Sequence, residues 1–291
     1  MSTFWSLFII AGTLGSLVWT LWLLLSNRTQ PKQMVETTGH DFDGIEEYDN
    51  PLPMWWVGLF VATVVFALGY LLYYPGLGTF AGFGKWTSHA QWDRDVQAQN
   101  AQFAPLYQRL ASLSENELHQ SAEAQQIGRR LFLNNCASCH GMRARGGYGF
   151  PNLTDGEWQW AGGYDAIKTT IHDGRTAAMP AWGPALGDAG TSDMAQYVLS
   201  LSGAEHDAAA AARAAPQFQT MCVACHGTDG KGNPALGAPD LSNDVFLYGS
   251  DADTIAFTIR HGRTGTMPNF ATTLGDDRIA ILAAYVSSLQ P

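Results

Sequence analysis

Cys136-Ala137-Ser138-Cys139-His140 and Cys222-Val223-Ala224-Cys225-His226 use all four cysteines of this 291-residue chain. Cys-x-x-Cys-His is the spacing of covalent c-type haem attachment. The two thiols form thioethers to the vinyl groups, and the following histidine binds the iron from the proximal side. A zinc site could use two Cys-x-x-Cys pairs, and a disulfide framework suits a short, cysteine-dense secreted chain. Neither calls for a histidine directly after each pair. The motifs therefore predict two covalently bound haem c groups, attached at Cys136, Cys139, Cys222 and Cys225, with His140 and His226 as axial ligands.

A haem iron held this way takes a sixth ligand, commonly methionine or a second histidine. Met179-Pro180 lies 179 − 140 = 39 residues past the first motif histidine, and Met267-Pro268 lies 267 − 226 = 41 past the second. Each stands in a similar Gly-Arg-Thr-x-x-Met-Pro string, and the proline stops a helix continuing there. A lone methionine is ordinarily core filler; recurrence at matched positions points to Met179 and Met267 as distal ligands. His172 and His261 compete for the role, but aligning the Met-Pro pairs sets Arg260 against His172 and Asp173 against His261. Arg175 and Arg263 do align, as haem-propionate contacts or as solvated loop arginines. Met142, Met194 and Met221 have no repeat partner and are expected to be packing residues.

The region from about residue 121 onward is an internal duplication. Phe132 and Phe218 precede the motif cysteines by four residues, and Met194-Ala195-Gln196-Tyr197-Val198-Leu199 matches Leu282-Ala283-Ala284-Tyr285-Val286-Ser287. Each unit reads as a helix into Cys-x-x-Cys-His, a Gly/Pro-rich loop, a short helix (Tyr164 to Asp173, Asp251 to His261), the Met-Pro loop and a closing helix. That is the order of a small cytochrome c domain, whose core would be thin without its haem. Units at 121–205 and 206–291 are expected, joined by an alanine-rich helix from Ala208 to Ala215.

Upstream, Phe4 to Leu25 carries no charge, and Met54 to Tyr74 is a second uncharged apolar stretch; each is long enough to cross a bilayer as a helix. Trp5, Trp19, Trp22, Trp55, Trp56, Tyr73 and Tyr74 lie towards their ends, as an interfacial belt would. The first stretch lacks the basic start and small-residue cleavage site of a signal peptide. The fold class expected is thus all-α: two N-terminal transmembrane helices in a membrane anchor (1–81), a helical connector (82–120), then two tandem cytochrome c domains. Haem c is attached outside the bacterial cytoplasmic membrane, which requires the N-terminus and residues 75–291 on the periplasmic side and the loop 26–53 inside. Arg28 and Lys32 after the first span fit that orientation. In the connector, Ser114-Glu115-Asn116-Glu117 has the form of a capping box. The formal charge of −10 owes much to the loop, and the haem units are only mildly acidic. Such a surface could steer a basic cytochrome, and nothing resembles a nucleic-acid-binding patch.

Gly39 to Trp56 (GHDFDGIEEYDNPLPMWW) with Tyr74-Pro75-Gly76-Leu77-Gly78 resembles the loop and second span of the dihaem subunit, subunit III, of bacterial cbb(3)-type cytochrome c oxidases, which are C-family haem-copper oxidases. Tyr148 to Leu153, Met179 to Gly183 and Gly232 to Leu241 extend the resemblance nearly end to end. The acidic loop is its specific part. The resemblance implies a chain that takes electrons from a donor c-type cytochrome and relays them to the monohaem subunit. From there they reach the catalytic haem-copper subunit, which reduces oxygen and pumps protons. It also implies axial pairs His140 with Met179 and His226 with Met267, and no catalytic residue on this chain. A free-standing membrane-tethered dihaem carrier would share the haem region without needing the loop. A dihaem peroxidase would need an open distal site, which two matched methionines disfavour.

Overall fold

The computed structural model describes residues 1–27, 37–48 and 52–291. Arg28, Lys32 and the Asp49-Asn50-Pro51 part of the acidic loop lie outside them. The chain divides into two units, Met1–Gln102 and Phe103–Pro291.

In the first unit, α1 (Thr3–Ser26) and α2 (Met54–Tyr73) coincide closely with the two apolar stretches. At 1.5 Å per residue they are about 36 and 30 Å long, enough for the hydrocarbon core. Their side chains are mostly exposed all round, which suits a lipid solvent rather than a protein core. The Ser6 hydroxyl near the start of α1 accepts from the Thr79 amide at 3.0 Å, beyond the end of α2. The N-terminus and the chain leaving α2 therefore emerge at the same end of the helix pair. Between the spans, β1 (Thr37–Phe42) and β2 (Ile45–Tyr48) form an exposed antiparallel hairpin. Its turn is Asp43-Gly44, both at positive φ (53° and 90°), with the Gly44 amide donating to Asp41 Oδ1. Asp-Gly between strand residues is the usual sequence for a two-residue hairpin turn; it was the signal that a reading of this segment as plain loop passes over.

Helix α3 (Ser88–Ala111) begins in the first unit and ends in the second, followed by α4 (Glu115–Gln120). The capping box is present: the Ser114 hydroxyl accepts from the Glu117 amide while the Glu117 carboxylate accepts from the Ser114 amide. Then come α5 (Ala122–Asn135), the single turn α6 (Ala137–His140), α7 (Tyr164–Asp173), β3 (Arg175–Met179) and α8 (Gly183–Leu201). The second repeat supplies α9 (Ala208–Met221), α10 (Val223–His226), α11 (Ala252–His261), β4 (Arg263–Met267), α12 (Ala271–Leu274) and α13 (Asp276–Ser287). The alanine-rich stretch is the opening of α9, capped by the Asp207 side chain. Gly187 at φ 66° breaks α8 as Gly275 at φ 74° separates α12 from α13, so the two closing segments are built alike.

The fold is mostly helical, with one departure that matters for the haem sites. β3 and β4 pair antiparallel, Arg175 opposite Met267 and Met179 opposite Arg263. The two Met-Pro strings are therefore strands paired between the repeats rather than separate loops. The helices follow the same exchange. α13, from the second repeat, packs on α5 and α7 of the first; α8, from the first, packs on α9 and α11 of the second. Each core thus draws on both halves of the duplicated sequence. A third cluster, Leu110, Leu118, Ala124, Ile281 and Ala284, joins the end of α3 and α4 to α5 and α13.

Candidate haem-binding sites

Each Cys-x-x-Cys-His is held on one short turn. α5 runs out at Cys136, whose amide still donates to the Phe132 carbonyl (2.8 Å), and the Cys136 carbonyl accepts from both the Cys139 (3.1 Å) and His140 (2.9 Å) amides. Cys222, Cys225 and His226 repeat the arrangement at 3.1 and 2.9 Å. The chain then loops back so that His140 Nδ1 donates to the Pro151 carbonyl at 3.0 Å and His226 Nδ1 to the Pro239 carbonyl at 3.1 Å. With Nδ1 as donor, Nε2 carries the lone pair, which is the tautomer an axial ligand needs. Burial pushes both imidazoles below the ordinary histidine range, against the opposing pull of the carbonyl bond, so they are neutral at pH 7. The approach depends on glycine: a Cβ at Gly146 would collide with the Phe150 and Pro151 carbonyls, and one at Gly232 with those of Ala238 and Pro239.

No disulfide joins any of the four cysteines. Burial, then the neighbouring Cys139, pushes the Cys136 thiol up to about 11, and Cys222 is raised for the same reasons. Among the described residues no three His, Cys, Asp or Glu side chains cluster as a metal-ion site, so the zinc alternative gains no support. Paired thiols one turn apart, a neutral imidazole beside them and a thioether within the same core are the donor set of a c-type haem, and the residues fit that group.

The packing sets one of the two methionines beside each motif. Cys136 and Ala137 share a core with Phe132, Ile167, Ile171, Leu282 and Met267, whereas Cys222 and Val223 share theirs with Phe218, Ile255, Ile259, Val198 and Met179. Pairing by repeat, His140 with Met179 and His226 with Met267, is therefore not the one the packing favours. Two further glycines permit the crossover. A Cβ on Gly174 (φ 73°) would strike the Met267 carbonyl, and one on Gly262 (φ 72°) the Met179 carbonyl. A cavity of about 460 Å³ is lined by Met179, Pro180, His261 and Arg263 among others, so His261 stands beside Met179 while His172 is engaged elsewhere.

Arg175 Nε donates to Thr170 Oγ1 at 3.0 Å and its guanidinium lies 5.1 Å over Trp160; Arg263 bonds Thr258 Oγ1 and lies 4.2 Å over Tyr248. Pro151, Pro239, Thr170 and Thr258 were not singled out by motif reading, although each stands at a matched place in the duplication. Met194 is buried in the second core, as a packing methionine should be. Met142 is not: it is 78% exposed, because Gly141 turns the chain outward directly after the motif.

Two apolar membrane-length helices and a duplicated, helix-borne Cys-x-x-Cys-His unit define a membrane-anchored c-type cytochrome. Comparison with known proteins gives the family. Residues 34–81 match the N-terminal domain of cytochrome oxidase-cbb3, FixP, and residues 123–198 and 209–286 each match cytochrome c oxidase, cbb3-type, subunit III. The chain is 43% identical to the cbb3-type cytochrome c oxidase subunit CcoP of Rubrivivax gelatinosus, over 98% of this chain and 94% of that one. It is 37% identical to the CcoP subunit of Cereibacter sphaeroides (87% and 94% covered) and 37% identical to the FixP subunit of Azorhizobium caulinodans (87% and 92%). The chain belongs to the subunit III family of cbb3-type cytochrome c oxidases. As such it is a membrane-anchored cytochrome c that relays electrons within an oxidase complex.

Proposed function

We propose that this subunit carries two haems c whose axial pairs are crossed between the repeats: His140 with Met267, and His226 with Met179. The observation that carries the pairing is the placement of Met267 in the core of the first motif and of Met179 in that of the second. When bound, a haem with histidine and methionine ligands supplies a six-coordinate iron of raised potential that exchanges electrons rather than binding oxygen.

The protein's part is positional. The Pro151 and Pro239 carbonyls fix the histidine tautomers; Phe132, Ile167 and Ile171, and their counterparts Phe218, Ile255 and Ile259, exclude water. Arg175 stands across the ladder from Met267 and Arg263 from Met179, so each would neutralise a propionate of the haem its opposite methionine serves. Because β3 and β4 are hydrogen-bonded to one another, the two sites are held at a fixed separation, as a relay needs. Electrons arrive from a donor c-type cytochrome and leave for the monohaem subunit and then the haem-copper catalytic subunit. The haem units and the N-terminus face the periplasm of the bacterial inner membrane, a reading supported by the Ser6–Thr79 contact, which sets the N-terminus and the chain leaving α2 at one end of the helix pair.

The test uses full-length chains with one attachment motif removed by Cys→Ser substitution. In the chain that keeps only the first haem, Met267→His should lower the potential while Met179→His leaves it in place. The reverse is expected in the chain that keeps only the second. A first-haem potential that follows Met179 would refute the crossed pairing.

A further inference from the structure

The two crossovers are fastened by the same pair of repeat positions, filled with different chemistry. In both repeats a cation stands seven residues before the ligand methionine and an aspartate nine residues after it. Arg260, at the end of α11, reaches Asp188 (3.2 Å) and the Thr191 hydroxyl (3.3 Å) on α8. His172, at the end of α7, reaches Asp276 (3.4 Å) at the start of α13. The backbone beside each is joined identically: the Trp182 amide donates to the Ile259 carbonyl and the Phe270 amide to the Ile171 carbonyl, at 2.9 and 3.0 Å. Each side chain therefore ties a short helix of one repeat to the segment that follows the methionine of the other.

Arginine stays charged throughout the accessible pH range, whereas histidine changes charge near neutrality. We propose that His172 is a positioning residue for the Met267 segment, a titratable latch that gives the first haem a pH-dependent reduction potential which the second, latched by Arg260, lacks. This rests on the assignment of Met267 to the first haem.

The groups acting on His172 are Asp173, bonded to its Nδ1 at 2.6 Å, Asp276 on α13, and Lys168 on its own helix. The Asp173 hydrogen bond is the strongest influence and holds the imidazole above the ordinary histidine range; the carboxylate charges act the same way, while desolvation and Lys168 oppose them. The sign follows. Below the raised pKa the latch is a closed cation–carboxylate pair. As pH rises through it the positive charge leaves and Asp276 is left unneutralised, which favours the ferric iron, so the potential falls. Reduction by one electron from the donor is then accompanied by fractional uptake of one proton at His172.

The experiment is a redox titration of the haem-loaded full chain from about pH 5 to 8, following both midpoints, each assigned with the one-motif chains. The first midpoint should fall with pH and the second should stay nearly level. His172→Arg should flatten the first profile, and Arg260→His should give the second a fall of the same sign. A first-haem profile unmoved by His172→Arg, or a second that stays level after Arg260→His, would overturn the proposal. Failure of the underlying ligand assignment shows separately, as a first-haem potential indifferent to Met267→His.

Discussion

Leu282→Ala tests the exchange of helices between the repeats without touching a ligand. Leu282 belongs to α13 of the second repeat, is fully buried, and lies in the core of the first motif with Phe132, Ile167 and Ile171. Truncation removes three carbons, about 2.4 kcal/mol at ~0.8 kcal/mol per buried methylene. The residual cavity adds to this, and the measured range for such changes is about 2–5 kcal/mol. A cost of about 3 kcal/mol is roughly a hundredfold in an opening equilibrium, since 1.4 kcal/mol is tenfold. Native-state hydrogen exchange on the haem-loaded chain, read by peptide, reports such local openings. Amides of α5 and α7, both in the first repeat, should lose protection by about that factor, while those of α9 and α11 keep theirs. Val198→Ala, in the first repeat but in the core with Phe218 and Ile259, should do the reverse. Loss confined to α9 and α11 after Leu282→Ala, or shared equally by both helix pairs, would refute the reasoning.

Ser114→Ala removes the hydroxyl of the capping box at α4 and should cost about 1 kcal/mol, seen as a lowered denaturant midpoint with unchanged haem spectra. Gly232→Ala forces a Cβ against the Ala238 and Pro239 carbonyls and should break the His226 Nδ1 bond. Without that acceptor the imidazole is a poorer donor to ferric iron, so the second-haem midpoint should rise in a redox titration while the first stays put.

What could be read from the chain was what neighbouring residues encode. The two spans, α7 from Tyr164 to Asp173, the helix opening at Ala208 and the Ser114 cap all carry their signals within a few residues. The two Cys-x-x-Cys-His motifs are local in the same way, each a five-residue pattern. Pairing was not. The partner of Met179 in the ladder is Arg263, far along the chain, and the five-residue strand Arg-Thr-Ala-Ala-Met has little strand signature until that partner is present. A duplicated sequence adds a degeneracy: Met194 to Leu199 and Leu282 to Ser287 are so alike that hydrophobic pattern alone lets either closing helix fit either core.

The connection between repeats breaks that degeneracy. Only residues 202–207 separate the end of α8 at Leu201 from the start of α9 at Ala208. A link that short makes consecutive helices antiparallel neighbours. The pair is stitched accordingly: the Asp207 amide donates to Gln196 Oε1, and Arg213 holds Asp193 through two bonds at 2.8 and 2.6 Å. Once α8 is committed to α9, it is unavailable to α5. The place beside α5 and α7 is taken by α13, and the strands that precede α8 and α13 must then pass one another. Their antiparallel pairing is the result, and it carries Met179 to the second motif and Met267 to the first. On this account the linker length sets the proposed ligand pairing. Inserting a long flexible Gly/Ser segment after Ser202 would free α8 to return to its own repeat, and the single-haem ligand test would report the change as a switch from crossed to repeat-wise dependence on methionine.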